Sequence, residues 1–578
     1  VQVDDRDESG IYQWGRMTMK SGRGGVTMQG TSGEYQGIGF TAPLTESDTG
    51  VKQLSMVSSK TSGTAIQLTG SSSAGVGVSF NYLNPKEVLS LGGGQVTING
   101  TGVGTYGIEV QNLDVLSTTG DINMYAGTGG MNVKDRGVRF GSLLGSSMTS
   151  SSADLMVQGN ELEYDDLVVG FVNTLESTGT AVMESQGSAF SSTFDYKNFD
   201  LGSSVSSLRI GKTTNSANVE VYDPVSIAGP ISIYGGDVTL REDLSSSLSG
   251  ADILVKGRGD IETIASRSVL TNNGDITLWS NSDNSGGGSI VLGDNNVLNS
   301  SNGRSGDTDS GGGKITLAGG SGYGTSPTGY SSSSTGAGIK LGTSTANHTE
   351  IYSGGGDIIV KGSSTATGQA DDRDESGIYQ WGQMTMKSGR GSITMQGTSG
   401  AYQGIGFTAP LSESDTGVKQ LSMVSSKTSG TAIQLTGSSS GGVGVSFNYL
   451  NPKEVLSLGG GQVAINGTGV GSYGIDMQNL DVLSTTGDLN MYGGTGGVNV
   501  GDRGVRFGSR ASSSVTSSSA DLLVRGDDLE YNNLVVGFSN TLQSTGTAVM
   551  ESHSNSFSSV FDYQNFDLGS SVSSLRIG

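Results

Sequence analysis

The chain has 578 residues, with 97 Gly, 7 Pro, no Cys and a formal net charge of −22. The absence of Cys excludes disulfides, thiolate metal sites and cysteine nucleophiles. The negative charge argues against nucleic acid as a partner, because phosphate binding requires a basic face. No apolar run approaches the length that a membrane-spanning helix needs, so the sequence predicts no transmembrane helix.

A long internal repeat organises the chain. The phrase "DDRDESGIYQWG" at residues 4–15 returns at residues 371–382, and residues 4–211 align without a gap with residues 371–578 at a constant shift of 367. Roughly 85% of the aligned positions are identical, which identifies a tandem repeat. We therefore predict a first copy at 1–211, a segment at 212–367 that completes the repeat unit, and a second copy at 368–578.

Short alternating strands fill the repeat unit. Phrases such as "GDITLWS" (274–280), "GSIVLGD" (288–294), "GKITLAG" (313–319) and "GDIIVKG" (356–362) place two aliphatic residues at alternate positions, on one face of a strand. The turns between the strands are rich in Gly, Ser, Asn and Asp. No long stretch has a helical period.

The spacing of these phrases predicts an all-β fold, a right-handed parallel β-helix, in which coils of about 20–25 residues carry two or three short strands each. An array of immunoglobulin-like sandwiches would instead repeat at about 100 residues with longer strands. Period-2 alternation predicts that one set of residues points into the core and another outward. The inward set is Ile276, Leu278, Ile290, Leu292, Ile315 and Leu317, and the outward set is Thr277, Val291 and Thr316.

The stretches "NGDITLWSNSDNSGGGSIVLGDNNVLNSSNG" and "SGGGKITLAGG" resemble the repeats of filamentous-haemagglutinin-like bacterial exoproteins. The resemblance is closest in residues 250–365. It implies a right-handed β-helical shaft, a place outside the bacterial cell or on its surface, and a role as a fibre or adhesin. The partners that it implies are further copies of the same protein, surface glycans, and host or neighbouring cells.

Acidic residues cluster at the start of each copy. Carboxylates in glycine-rich loops are ligands that calcium prefers, although the spacing here fits neither the EF-hand loop nor the glycine-rich calcium nonapeptide. No other cofactor is indicated. The candidate calcium ligands are Asp4, Asp5, Asp7 and Glu8 in the first copy and Asp371, Asp372, Asp374 and Glu375 in the second.

Two aromatic residues follow each acidic cluster, Tyr12 and Trp14 in the first copy and Tyr379 and Trp381 in the second. Tyr and Trp of one copy share a parity, which would place both on the outer surface of a strand. Exposed aromatics of this kind form contact sites for sugars or for neighbouring fibres. The alternative is that they cap the core at a loop.

The sequence favours a structural protein, a repeat segment of a giant fibre, over two alternatives. One is an adhesive module that binds carbohydrates or receptors through the aromatic residues. The other is a polysaccharide-degrading enzyme, which needs paired carboxylates in a groove. One set of candidates for such a pair is the acidic cluster at the start of each copy, Asp4, Asp5, Asp7 and Glu8 with Arg6, which is repeated at 371–375. The other is Asp135, with Arg136 and Arg139, and its repeat Asp502, with Arg503 and Arg506. The chain has two histidines, His348 and His553, and no dense group of carboxylates, so we expect no enzymatic activity.

Overall fold

The structure is a computed structural model. It describes residues 8–40, 51–81, 84–103, 105–110, 113–127, 131–133, 148–150, 155–158, 162–164, 173–177, 179–197, 199–203, 205–344, 348–369, 372–407, 419–447, 451–477, 480–494, 496–500, 515–517, 522–526, 529–531, 540–544 and 546–578, without 559, 562, 564, 565, 569 and 571. Two compact units, Val1–Leu248 and Ser249–Gly578, make up the chain. Their boundary falls inside the predicted segment 212–367, away from the ends of the repeat.

Each unit is a stack of coils whose short strands pair in parallel with the equivalent strands of the next coil. Three sets of strands define three faces, which we call face 1, face 2 and face 3. Within the described residues, the pairing along face 2 and face 3 is interrupted in places, so that each of these two faces comprises more than one sheet. A coil passes through face 2, face 3 and face 1 in that order before the next coil begins. This arrangement confirms the predicted all-β fold of the parallel β-helix type.

In the unit Val1–Leu248, the strands of face 1 are Val26–Ser32, Thr64–Ser72, Gln95–Gly102, Ile122–Tyr125, Leu155–Gln158, Thr180–Glu184, Ser207–Ile210 and Ile231–Gly235. Those of face 2 are Ile11–Tyr12, Ile38–Gly39, Val78–Phe80, Ile108–Val110, Met131–Val133, Leu162–Tyr164, Phe194–Tyr196, Val219–Val221 and Val238–Leu240. Those of face 3 are Met17–Lys20, Leu54–Ser58, Lys86–Ser90, Leu113–Ser117, Met148–Ser150, Asn173–Ser177, Phe199–Leu201, Val225–Ile227 and Leu244–Ser246.

In the unit Ser249–Gly578, the strands of face 1 are Ile253–Gly257, Ile276–Ser280, Ile315–Tyr323, Ile358–Ser364, Ile393–Ser399, Thr431–Ser439, Gln462–Gly469, Leu489–Gly493, Leu522–Gly526, Thr547–Glu551 and Ser574–Ile577, with Ser326–Gly329 and Ser331–Ser333 added beside them. Those of face 2 are Ile261–Thr263, Ile290–Leu292, Ile339–Leu341, Ile378–Gln380, Ile405–Gly406, Val445–Phe447, Ile475–Met477, Val498–Val500 and Leu529–Tyr531. Those of face 3 are Ser268–Thr271, Val297–Asn299, His348–Tyr352, Gln383–Lys387, Leu421–Ser425, Lys453–Ser457, Leu480–Ser484, Val515–Ser517, Asn540–Ser544 and Phe566–Leu568.

The coils vary in length more than the sequence spacing predicted. Ile253 pairs with Ile276 in the next coil, at a separation along the chain that lies within the predicted range. Ile315, however, pairs with Ile358, and the segment between them is far longer than the prediction. The prediction was too short for such coils because loops between the faces add residues without adding a strand to the stack.

The predicted inward residues are confirmed. Ile276 and Leu278, with Ile315 and Leu317 stacked on them in the next coil, are fully buried, and so are Ile290 and Leu292. Identical apolar types therefore lie above one another through the stack, which is the arrangement that a narrow solenoid core requires.

The predicted outward residues lie on the other side of their strands, but two of the three are covered. Thr277 and Thr316 are only 5% and 4% exposed, whereas Val291 is half-buried. The cause lies in the same strand as Thr277. Trp279 is on the same side of that strand and is buried, with its Nε1 donating to the carbonyl oxygen of Gly320 at 2.8 Å. The hairpin formed by Ile315–Tyr323 and Ser326–Gly329 therefore folds over this part of face 1.

Two columns of glycine meet at the corner between face 1 and face 2. Gly397, Gly437 and Gly467 pair in register along face 1. A Cβ atom on Gly437 would lie 2.0 Å from the carbonyl oxygen of Gly444, which directly precedes the face 2 strand Val445–Phe447. The same contact recurs between Gly70 and Gly77 of the first copy, at 2.0 Å. No side chain fits between these backbone segments.

A column of buried serines closes the corner between face 3 and face 1. Ser388 and Ser425 lie at the ends of successive strands of face 3, and both donate to the carbonyl oxygen of Gly391 at 2.7 Å. Ser484 donates in the same way to Gly461 at 3.1 Å. Since each of these inward hydroxyls has a backbone acceptor, the polar atoms are buried without loss of their hydrogen bonds.

Substitution of Gly437 by Ala should lower the urea midpoint of unfolding of the unit Ser249–Gly578 by an amount equivalent to about 1–3 kcal/mol, because the added methyl group overlaps a carbonyl oxygen. The matched control is Gly400→Ala, whose Cβ would have no atom nearer than 3.8 Å and should change the midpoint little. Equal midpoints for the two variants would contradict the close approach at this corner.

Candidate functional site

The acidic cluster of the second copy forms a short 3-10 turn at Asp372–Glu375. Its carboxylates have separate protein partners. Asp374 Oδ1 lies 2.9 Å from Nζ of Lys340 in the preceding coil, and the buried Glu375 accepts the backbone N–H of Gln369 at 2.8 Å. Asp372 is exposed.

The candidate calcium ligands that lie within the described residues do not converge on one point. In the part of the chain that the structure describes, no three His, Cys, Asp or Glu side chains come together in a group that could hold a metal ion. Glu8 is exposed, and its carbonyl oxygen accepts the hydroxyl of Ser32 at 2.7 Å. The remaining candidates, Asp4, Asp5, Asp7 and Asp371, lie outside the described residues, as do the enzymatic candidates Asp135, Arg136, Arg139, Asp502, Arg503 and Arg506. Calcium stays a prediction.

The aromatic residues are adjacent in both copies but differ in exposure. The rings of Tyr12 and Trp14 meet edge to face at 5.4 Å, and Trp14 is 61% exposed. The rings of Tyr379 and Trp381 meet in the same way at 5.8 Å, but Tyr379 is fully buried. The prediction of a surface site is therefore wrong for Tyr379.

The neighbouring coils explain the difference. Ile378–Gln380 pairs on one side with Ile339–Leu341 and on the other with Ile405–Gly406. Trp381 is half-buried, with the Arg373 guanidinium 4.5 Å from the ring centre. In the described part of the chain, Ile11–Tyr12 has a partner on one side only, Ile38–Gly39. Trp14 is therefore exposed in the first described coil, whereas Trp381 follows a strand that is paired on both sides and is covered.

A buried lysine recurs in both copies and was not among the residues singled out from the sequence. Lys86 and Lys453 open strands of face 3, and each is 1% exposed. Lys86 stacks in register between Leu54 and Leu113 of the adjacent coils. The signal was present in "KEVLS", where Lys has the parity of the inward Val and Ser.

At the corner between face 2 and face 3, backbone carbonyl oxygens accept hydrogen bonds from buried polar side chains. Lys86 Nζ donates to the carbonyl oxygen of Asn84 at 3.0 Å. Earlier in the stack, Gln13 Nε2 donates to the carbonyl oxygen of Gln53 at 2.9 Å. The second copy repeats both contacts, with Lys453 donating to Asn451 at 3.0 Å and Gln380 to Gln420 at 3.0 Å. We call these residues the buried polar corner.

Burial changes the protonation of this corner. It lowers the pKa of Lys86 to about 7, and the pKa of Lys453 to about 7 although the Asp476 carboxylate opposes that shift. Burial also raises the pKa of Asp476 to about 6, against the effect of Lys453. A neutral amine is a nucleophile, but at 1% exposure these amines are out of reach of a substrate. The buried polar corner is thus a structural feature rather than an active site.

No family model, no curated protein and no solved structure matches the chain. Within the described residues, no helix has the length and apolar character needed to cross a bilayer. The fold and its surfaces therefore carry the functional argument.

The buried lysines should make the protein more stable as the pH rises from about 7 to about 10.5. In that window the unfolded state holds a proton on each lysine that the folded state does not hold, so the free energy of unfolding increases with pH. We expect Lys86→Met with Lys453→Met to raise the urea midpoint at pH 7. Between pH 7 and pH 10 the free energy of unfolding of this variant should rise less steeply than that of the wild type, by roughly 1.4 kcal/mol per pH unit for each lysine removed.

The matched control is Lys52→Met with Lys419→Met, since these two side chains are 51% and 50% exposed. This pair should leave the pH dependence between 7 and 10 intact. A pH dependence that is the same in the buried and the exposed variants would show that the buried lysines keep their ordinary pKa.

Proposed function

We propose that this chain is a structural repeat segment of a bacterial extracellular or cell-surface fibre, in which it forms part of a rigid β-helical shaft. The observation that carries the proposal is the continuity of strand pairing across the junction between two sequence repeats. Ile358–Ser364 ends one repeat unit, and it pairs residue for residue with Ile393–Ser399 of the next.

The other two faces cross the junction in the same way. Ile339–Leu341 pairs with Ile378–Gln380 on face 2, and His348–Tyr352 pairs with Gln383–Lys387 on face 3. A further unit can therefore be added at such a junction with all three faces still paired. Duplication of the unit would lengthen the shaft and leave its cross-section unchanged, which is how a solenoid grows.

Rigidity follows from the same ladders. At the junction the coils are joined by backbone hydrogen bonds on all three faces, and the buried serines add bonds at one corner. The side chains that face outward on face 1 of the second copy are uncharged over four coils, in rows such as Gln396, Thr436, Asn466 and Tyr492. A shaft needs such a flat polar surface, whereas an enzyme of this fold class needs clustered carboxylates in a groove.

Electron microscopy tests the proposal. At a mean of roughly 30 residues per coil, one repeat unit makes about 12 coils, or roughly 58 Å of axis at ~4.8 Å per coil. A chain with one additional copy of residues 1–367 should be a thin rod longer by that amount. Separate globules, or a second rod beside the first, would rule out the shaft.

An adhesive role through the aromatic residues is the second candidate, since the Trp14 ring is exposed in the first described coil. Trp14→Ala should abolish binding on an array of neutral glycans if this residue is the contact, because an exposed aromatic ring supplies stacking area for a sugar. Trp381→Ala is the matched control, since its ring is already covered by Arg373. Glycan binding that survives Trp14→Ala would remove this site from consideration.

A further inference from the structure

The outer side of face 3 carries a row of aliphatic side chains in both copies. In the first copy Val57, Leu89 and Leu116 pair in register across three coils. All three have the outward parity of their strands and are half-buried, and Leu91 beside them is 49% exposed. We call these four residues the aliphatic row.

The second copy repeats the row. Val424, Leu456 and Leu483 pair in the same register, and Leu458 is 36% exposed. Val424 is nearly buried, at 3%, so the row of this copy is smaller. Aliphatic residues in line on an outer face differ from the scattered single ones that an ordinary surface carries.

Charge is distributed unevenly along face 3 around the row. The coil before the row carries three exposed cations, Arg16, Lys20 and Arg23, and Lys20 pairs in register with Val57. The coil that ends the row carries two carboxylates, Asp114 and Asp121. At ~4.8 Å per coil, Lys20 and Leu116 are about 14 Å apart along the stack.

The second copy keeps one exposed cation at the corresponding end, because Gln383 stands at the position equivalent to Arg16. Arg390 is exposed and lies in the coil before Val424. Lys387 of that coil forms an ion pair with Asp307 at 2.9 Å. The coil that ends the row again carries two carboxylates, Asp481 and Asp488.

The middle of face 3 is neutralised within the chain. Lys419 forms an ion pair with Glu454 at 2.5 Å in the second copy, and Lys52 forms one with Glu87 in the first. Face 3 of the first copy is therefore basic at one end, aliphatic in the middle and acidic at the other end, and the second copy keeps this order with Arg390 as its exposed cation.

Such a pattern is self-complementary. When two identical surfaces meet about a two-fold axis, the same patch serves both partners and its two ends exchange places. The basic end of one face 3 would then lie over the acidic end of the other, with the two aliphatic rows in contact between them. A chain of net charge −22 repels its own copies through most of its surface, so a self-contact requires a region where the charges alternate.

From these surfaces we propose that face 3 is a lateral interface between two antiparallel copies of this chain, centred on the aliphatic row. The partner is a second copy of the chain. One row buries too little area for a stable dimer by itself, but the row recurs in every repeat unit, and linked weak contacts reinforce one another. The inference rests on the proposed fibre and extends it, because lateral contacts would join shafts into bundles.

Sedimentation equilibrium tests the interface with the full chain. We expect the average mass to rise with protein concentration toward that of a dimer or a larger assembly, and to fall again as salt screens the end-to-end charges. Leu89→Asp with Leu456→Asp should leave the chain monomeric. The matched control, Thr101→Asp with Thr468→Asp, adds the same charge at exposed positions of face 1 and should still associate.

A pair of variants with opposite charge changes separates loss of association by charge repulsion from loss by misfolding. The acidic variant Lys20→Glu with Arg390→Glu and the basic variant Asp114→Lys with Asp481→Lys should each be monomeric alone. Mixed in equal amounts they should associate, because an acidic face then meets a basic one. A wild-type chain that stays monomeric at all concentrations, or variants that fail to associate when mixed, would overturn the interface. A monomeric rod in micrographs would do so while leaving the proposed fibre intact.

Discussion

The close approach of two backbone segments at the corner between face 1 and face 2 is the constraint on which the rest of the structure depends. In the second copy the glycines of face 1 lie against the glycines that directly precede the strands of face 2, and the space between them does not admit a Cβ atom. The chain can therefore turn from face 1 to face 2 at a narrow corner and enter the next strand in register. Wider corners would separate the strands of successive faces and open the narrow core.

The corners also explain how a chain that is only 33% hydrophobic forms a core. Each coil buries a few apolar residues, and polar side chains are buried beside them when a carbonyl of the same corner accepts their hydrogen bonds. The serines at the end of face 3 and the lysines at its beginning follow this rule. The lysines carry an additional cost, because burial opposes their charged form and lowers the pKa of Lys86 to about 7.

The two copies of the repeat show how the same sequence behaves beside different neighbouring coils. Trp14 and Trp381 follow the same residues, yet the second is covered by the coil that contains Lys340. The end of the first sequence repeat is not a boundary in the fold, because strand pairing continues across the junction near residue 370. In the proposed shaft, this continuity would make any surface pattern of one unit, such as the polarity of face 3, recur from unit to unit.

The sequence by itself determined the strand character, the long tandem repeat and the inward register of residues such as Ile276 and Leu278. The strands and their register follow from period-2 alternation, which is local. Only the tertiary structure decided the coil lengths, the covering of Thr277 and Thr316 by the 315–329 hairpin, the burial of Tyr379 and the burial of Lys86 among leucines. Each of these depends on which segments lie in the neighbouring coil, and the loops between faces are too variable for spacing along the chain to reveal it.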